Sequence, residues 1–204
     1  MILRSDIINA LFEHFRFKSY LEIGVASPTA TFDLIKATNK TSVDPRKDQG
    51  DVYTHNMTSD EFFEKVKYDS SAFWDVIFID GIHTEKQVYK DIKNSINHLN
   101  KGGFIVVHDC NPSTEERILS NNGTVFKGFI SVKNNLSEYL WSCFVVDEDD
   151  GCGIITRRSI FPDSKYQKID IQSLTWGDFN NNRKKLLQLI SFDKYLEIIK
   201  GVLI

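Results

Sequence analysis

The chain has 204 residues, a formal net charge of −3, 41% hydrophobic and 26% charged residues. At that length one domain is the default and a core forms without staples, while the slight acidity excludes the broad basic surface of a nucleic-acid binder. Three scattered cysteines, Cys110, Cys143 and Cys152, with no C-x-x-C pair, exclude a disulfide framework and a zinc knuckle. No apolar run approaches the ~18 residues of a membrane helix. The N-terminal stretch carries Asp6 and Glu13 where a signal peptide needs an unbroken apolar run, so a cytoplasmic protein is expected.

Residues 4–16 place Ile7, Ile8, Leu11, Phe12 and Phe15 at helical spacing and predict an amphipathic first helix. SYLEIGV (19–25) reads as a buried strand ending in a glycine turn, and TATFDLIKAT (29–38) as a helix with Phe32 and Ile35 inward. KTSVDP (40–45) is a second strand stopped by Pro45, and a further strand is expected before Thr58. Thr58 to Glu61 fits a capping box ahead of DEFFEKV. WDVIFID (74–80) is the most strand-like run. Thr84 to Gln87 is a second capping box, opening the helix that runs to Leu99. Lys101-Gly102-Gly103 ends that helix and leads into FIVVHD (104–109). Phe62, Phe63, Phe73, Trp74 and Phe78 fall on predicted core faces, and Phe126, Phe129 and Trp141 read as core ahead of pocket lining. Residues 124–136 read as helix, 139–148 and 154–158 as an antiparallel hairpin, and 175–189 and 192–200 as helices, with Ser191 an N-cap.

Apolar strands separated by amphipathic helices imply a doubly wound, mostly parallel α/β sheet with helices on both faces. One domain spanning 1–204 is expected, with helices at about 173–202 as cover. Ligands of such sheets bind beyond the carboxyl ends of the strands. Those ends here carry Glu22 and Gly24, Asp44, Asp80 with His83, and His108 with Asp109. Each acid has a bland account. Glu22 can accept from loop amides, Asp44 can cap a turn, Asp80 can fix the Gly81 turn, and Asp109 can cap a helix near Ser113. Their joint placement points to one shared site, because acids at the core edge are costly unless paired or used. Asp44 lies 20 residues after Gly24, a spacing that suits a carboxylate accepting ribose hydroxyls. The loop after Gly24 (Val25-Ala26-Ser27-Pro28) lacks the G-x-G-x-x-G fingerprint, which argues against NAD.

The stretches YLEIGV, VDP, MTSDEFF, DVIFIDGIHTEKQVYKDI, LNKGGFIVVHDCNP, GTVFKGF, DGCGIITRR and LLQLISFDKYLE resemble the class I S-adenosylmethionine-dependent methyltransferases. They are most similar to small bacterial members found with polysaccharide or antibiotic biosynthesis. The resemblance implies a Rossmann-like sheet of seven strands with the last antiparallel, and S-adenosyl-L-methionine as cofactor. It implies that Glu22 and Gly24 line the methionine end, that Asp44 holds the ribose, that Ser59 and Asp60 lie near the adenine, and that Asp80 borders the cofactor. Some relatives are metal-dependent O-methyltransferases, and their ligands correspond to Asp80, His108 and Asp109. A divalent cation, Mg²⁺ or similar, is therefore a possible second cofactor. The implied reaction is methylation of a small-molecule acceptor, a sugar or natural-product hydroxyl, with Asp80, His83 and His108 as the catalytic set. The rival readings are an NAD-linked oxidoreductase and a non-catalytic cofactor-binding scaffold. The basic runs Arg157-Arg158 and Arg183 to Lys185 read as solvated faces, and the acids Asp147 to Asp150 as a hairpin turn.

Overall fold

The computed structural model describes residues 1–46, 53–137, 140–158, 160 and 168–201. Seven strands are formed: β1 (Ser19–Ile23), β2 (Asn39–Val43), β3 (Trp74–Ile79), β4 (Leu99–Val107), β5 (Ser142–Val146), β6 (Cys152–Thr156) and β7 (Leu189–Ile190). They make one sheet in the order β2-β1-β3-β4-β6-β5-β7. β1 pairs in parallel with β2 and β3, and β3 with β4. β6 is antiparallel to both β4 and β5, and β7 joins β5 in parallel. This is the expected Rossmann-like α/β sheet with one difference of arrangement. The antiparallel member is β6, and a two-residue β7 follows it instead of β6 closing the chain. The strand expected before Thr58 is reduced, among the described residues, to a single bridge between Val43 and His55. The stretch 46–57 has no apolar run to support a longer one.

Alternation along the strands serves two cores. Leu21, Ile23, Ile77, Ile79, Ile105, Val107, Val145 and Ile155 face one side. There they pack on α2 (Ser59–Val66), α3 (Glu85–Asn97), α5 (Val125–Asn135) and α6 (Trp176–Leu187) through residues such as Phe62, Val88, Phe129 and Phe179. Tyr20, Val76, Phe78, Phe104, Val106, Phe144 and Ile154 face the other side, against α1 (Arg4–Phe15) and α7 (Phe192–Lys200). Period-two burial on both faces is what a mostly parallel sheet requires. Phe126, Phe129 and Trp141 are buried in the first core, whereas Phe73 is 41% exposed, against expectation, because it precedes β3. No helix among the described residues is long and apolar enough to cross a membrane.

Several local signals act as read. Thr58 Oγ1 accepts from Glu61 N at 3.2 Å while Glu61 Oε2 accepts from Thr58 N at 2.9 Å, a closed capping box. Ser191 Oγ accepts from Lys194 N at 3.3 Å and starts α7. Thr84 Oγ1 caps α3 through Gln87 N at 3.4 Å, but the Gln87 side chain turns to Ser59, Asp60 and Asp91 and does not reciprocate. The helix expected over 29–38 is instead two 3-10 turns, Pro28–Ala30 and Phe32–Leu34. Thr31, β-branched, sits between them at φ −141° and breaks the run. Ile35 still points inward. α3 ends at Asn97 and β4 begins already at Leu99, three residues before the glycines. Gly102, at φ +78°, falls in the stretch where the β3–β4 register shifts.

Candidate active site

Hydrogen bonds continue past the strand ends and line them up. Gly24 N donates to Val43 O at 2.9 Å, Asp80 N to Ile23 O at 2.8 Å, and His108 N to Ile79 O at 3.0 Å. Gly24, Asp80 and His108 therefore stand side by side. A Cβ on Gly24 would lie 2.4 Å from Asp80 O and from Gly81 Cα, so only glycine allows β1 and β3 to close up here.

Four predicted residues meet in one cluster. His83 Nε2 is 3.2 Å from Asp80 Oδ1, and His83 Nδ1 is 3.2 Å from Asp109 Oδ2. His108 Nδ1 is 3.2 Å from Asp80 Oδ1 and 3.3 Å from Asp109 Oδ1. Asn122 Nδ2 donates to Asp109 Oδ1 at 2.7 Å and fixes that carboxylate. Asp109 adopts φ +61°, a costly conformation for a non-glycine residue and one that concentrates at functional sites. It caps no helix near Ser113: the short helix α4 (Glu115–Arg117) is capped by Thr114.

Two further members of the cluster gave no strand-end signal. Arg4, the first residue of α1, places Nη1 2.9 Å from Asp80 Oδ2 and 3.0 Å from His108 Nδ1. Asp149, in the β5–β6 turn, accepts from Arg4 N at 2.9 Å and pairs with Arg4 Nε at 3.0 Å. It also lies 3.7 Å from His108 Nε2, an ion-pair rather than a hydrogen-bond distance. Among the described residues, His108 Nε2 is buried with no hydrogen-bond partner.

The charges set one another's protonation. Burial opposes charge on Asp80, yet hydrogen bonds to His108 and His83 and the Arg4 guanidinium hold its carboxyl well below the ordinary range. The bond to Asp80 raises the His83 pKa against burial. Burial likewise works against a charged His108, but Asp109, Asp149 and Asp80 push its pKa well above the ordinary value. For Asp149, burial is outweighed by His108 and the Arg4 amide, and its pKa falls to about 2.

Asp80, His83 and Asp109 each offer a ligand atom, all within 4.8 Å of one another. His83 Nδ1 lies 2.5 Å from Asn121 O, an acceptor only, so its proton sits on Nδ1 and Nε2 is left to ligate. Two carboxylates and an imidazole fit a divalent ion such as Mn²⁺ or Zn²⁺ better than Mg²⁺, which prefers oxygen alone. Of the expected ligand set, Asp80 and Asp109 belong to this group with His83, and His108 Nδ1 also faces both carboxylates, at 3.2 and 3.3 Å.

Asp44 is buried, with Oδ2 accepting from Ala26 N and Oδ1 from Arg46 N, both at 2.9 Å. The turn-capping account is therefore realised, and each oxygen keeps a second lone pair for a ligand. Ala26 stands at φ +51°, adopting the conformation a second glycine would supply. Ser59 and Asp60 belong to a separate network, in which Gln87 Nε2 reaches them at 3.2 and 3.1 Å and Lys90 pairs with Asp60 at 2.5 Å.

Glu22 is 1% exposed and accepts from Tyr20 Oη at 2.6 Å, not from loop amides. Burial, opposed by the Tyr20 hydrogen bond, raises its pKa from 4.5 to about 8. The folded state then keeps a proton that the unfolded chain releases, so Glu22 costs stability as pH rises from about 4.5 to about 8. The slope from this one group is at most about 1.4 kcal/mol per pH unit. Urea unfolding at pH 5.5 and 7.5 should therefore show a smaller pH difference for Glu22→Gln than for the native chain. An equal difference would mean that Glu22 is ionised in the folded protein.

Residues 21–110 match the model of a family described as a methyltransferase domain. No curated protein matches the chain in sequence. An O-methyltransferase from Bacillus cereus, crystallised with SAH, aligns at a TM-score of 0.57 with 12% identity, over 74% of this chain and 80% of its own. TomG from Streptomyces achromogenes, an O-methyltransferase of tomaymycin synthesis crystallised with SAM, gives 0.55 and 11% over 74% and 78%. The SAH-bound methyltransferase PaMTH1 of Podospora anserina gives 0.52 and 15% over 78% and 80%. These likenesses, at 11–15% identity, establish the fold.

Proposed function

We propose that this chain, with a methyltransferase domain matched over residues 21–110, is an S-adenosylmethionine-dependent methyltransferase acting on the hydroxyl of a small polar acceptor. The observation that carries the reading is the convergence of Gly24, Asp80, His83 and Asp109 at the carboxyl ends of β1, β3 and β4. The O-methyltransferase names of the structural neighbours support oxygen as the acceptor atom.

When bound, the cofactor would supply a sulfonium-borne methyl group for the acceptor oxygen. The chain's own part is positioning and proton handling. Gly24 and the loop after it admit the methionine end, Asp44 receives the ribose hydroxyls, and Ser59 and Asp60 stand toward the adenine. Asp80, His83 and Asp109 would hold a divalent cation, which would supply Lewis acidity for ionisation of the hydroxyl. Without one, His83 Nε2 is the atom placed to take the proton, since its side chain is 28% exposed and that of His108 only 6%. His108 instead orients Asp80. A groove of about 600 Å³ at the N-terminal end of α3 is lined by residues that include Thr84, Glu85, Lys86, Tyr89, Thr124 and Gln172. Its hydroxyl, carboxylate, ammonium and amide lining favours a hydroxyl-rich acceptor such as a sugar. We read residues 1–204 as one domain, in which α6 reaches the site through Arg183 Nη1, 2.9 Å from Asn111 Oδ1.

Calorimetric titration tests the reading. S-adenosylhomocysteine should bind and NAD should not. Asp44→Ala should weaken S-adenosylhomocysteine binding by about tenfold or more, or about 1.4 kcal/mol. Unchanged affinity would remove the ribose role. Methyl transfer to a panel of sugars and phenols, with and without chelator, then separates an enzyme from a scaffold. Turnover that survives chelation assigns the proton to His83.

A further inference from the structure

We infer that Arg4 is a positioning residue that competes with the divalent cation for Asp80 and so sets how tightly the site holds it. The inference rests on the cation reading of Asp80, His83 and Asp109.

The two cations share one carboxylate. Asp80 Oδ1 faces His83 Nε2 at 3.2 Å, and Oδ2 faces Arg4 Nη1 at 2.9 Å. An ion ligated at Asp80 therefore stands within a few ångströms of a fixed positive charge, in a site where water screens little. Arg4 cannot shed that charge by losing a proton. The two therefore compete for the charge of Asp80.

The structure provides a second resting place. Arg4 also holds Asp149 through Nε at 3.0 Å and through its backbone N–H at 2.9 Å. Release from Asp80 leaves it tethered to the β5–β6 turn. His108 Nε2 marks the slack in this arrangement: it is buried, without a hydrogen-bond partner, and 3.7 Å from Asp149 Oδ1. A shift of Asp149 by less than 1 Å toward that nitrogen reaches hydrogen-bond distance. Asp149 and Asp150, at φ +50° and +57°, hold the turn in a conformation that disfavours side chains. Asp149 thus has two partners and now serves Arg4. The residue responsible lies outside the matched stretch 21–110, at the head of a helix that packs on α7.

Titration of the apo protein with Mn²⁺ alone, at fixed pH, tests this, with S-adenosylhomocysteine titrated in parallel. Arg4→Ala should bind Mn²⁺ at least tenfold more tightly than the native chain. Arg4→Lys, a shorter point charge without the planar fork, should fall between them. Cofactor-product binding should not change. Equal or weaker Mn²⁺ binding by Arg4→Ala overturns the competition and leaves the cation site standing. Absence of Mn²⁺ binding in both proteins, with normal S-adenosylhomocysteine binding, removes the cation reading and the competition with it.

Discussion

Asp80→Asn should reduce methyl transfer by roughly a thousandfold, about 4 kcal/mol of barrier, while S-adenosylhomocysteine affinity stays within about threefold. The substitution keeps the shape of the side chain and removes its charge. Asp80 joins three groups: Arg4 Nη1 at 2.9 Å, His83 Nε2 at 3.2 Å and His108 Nδ1 at 3.2 Å. An amide can accept through one oxygen only, and its NH₂ then faces a donor. Both histidines lose the anion that favours their charged forms, and the divalent site loses one of two carboxylates. The cofactor's ribose and methionine contacts do not depend on that charge in the proposed arrangement, so kcat should fall without a matching loss of product affinity. Single-turnover transfer and calorimetry on the same preparation separate the two. Turnover within tenfold of the native chain would take Asp80 out of the chemistry. A parallel collapse of S-adenosylhomocysteine binding would make it a cofactor residue instead.

The half of the site on parallel strands was legible because strand ends are legible. Asp80, His83, His108 and Asp109 follow apolar runs that can only be buried strands, and a parallel sheet delivers such ends to one edge. Arg4 was not, because at the head of an amphipathic helix a lone arginine reads as solvated. Only α1's packing against the face that carries Tyr20, Phe78 and Val106 brings it to Asp80. Asp149 read as a turn acid, which is true of its backbone. The missing step was topological. A hairpin whose second strand runs antiparallel to β4 must place its turn at the carboxyl end of β4. There Cys110 N and Asn111 N donate to Gly151 O and Asp150 O at 2.9 and 2.8 Å. Glu22 was read as facing a ligand, but strand alternation sends it to the same side as Tyr20, with which it bonds. The helix expected over 29–38 failed for a local reason: hydrophobic spacing at Phe32 and Ile35 fixes which side is buried, while Pro28 and the β-branched Thr29 and Thr31 decide the backbone.

Gly24→Ala should lower stability by about 3 kcal/mol, some 6–12 °C in melting temperature for a chain of this size, and abolish measurable S-adenosylhomocysteine binding. Two costs combine. At φ +83° a side chain is strained by roughly 1–2 kcal/mol. The new Cβ would also meet Asp80 O and Gly81 Cα at 2.4 Å, atoms of backbone that have no rotamer to change. Relief requires the carboxyl ends of β1 and β3 to separate, although Asp80 N is bonded to Ile23 O at 2.8 Å and Gly24 N to Val43 O at 2.9 Å. The loop that would carry the methionine end starts at this residue, so binding and folding fail together. Gly81→Ala is the internal control. Its Cβ would meet nothing nearer than Ile23 Cγ2 at 3.8 Å, an ordinary contact, so it should cost little although it lies beside Gly24, at the end of the neighbouring strand. Thermal melts and calorimetry on the two variants decide the matter. If Gly24→Ala behaves like Gly81→Ala, the close approach of the two strand ends is not what shapes the cofactor loop.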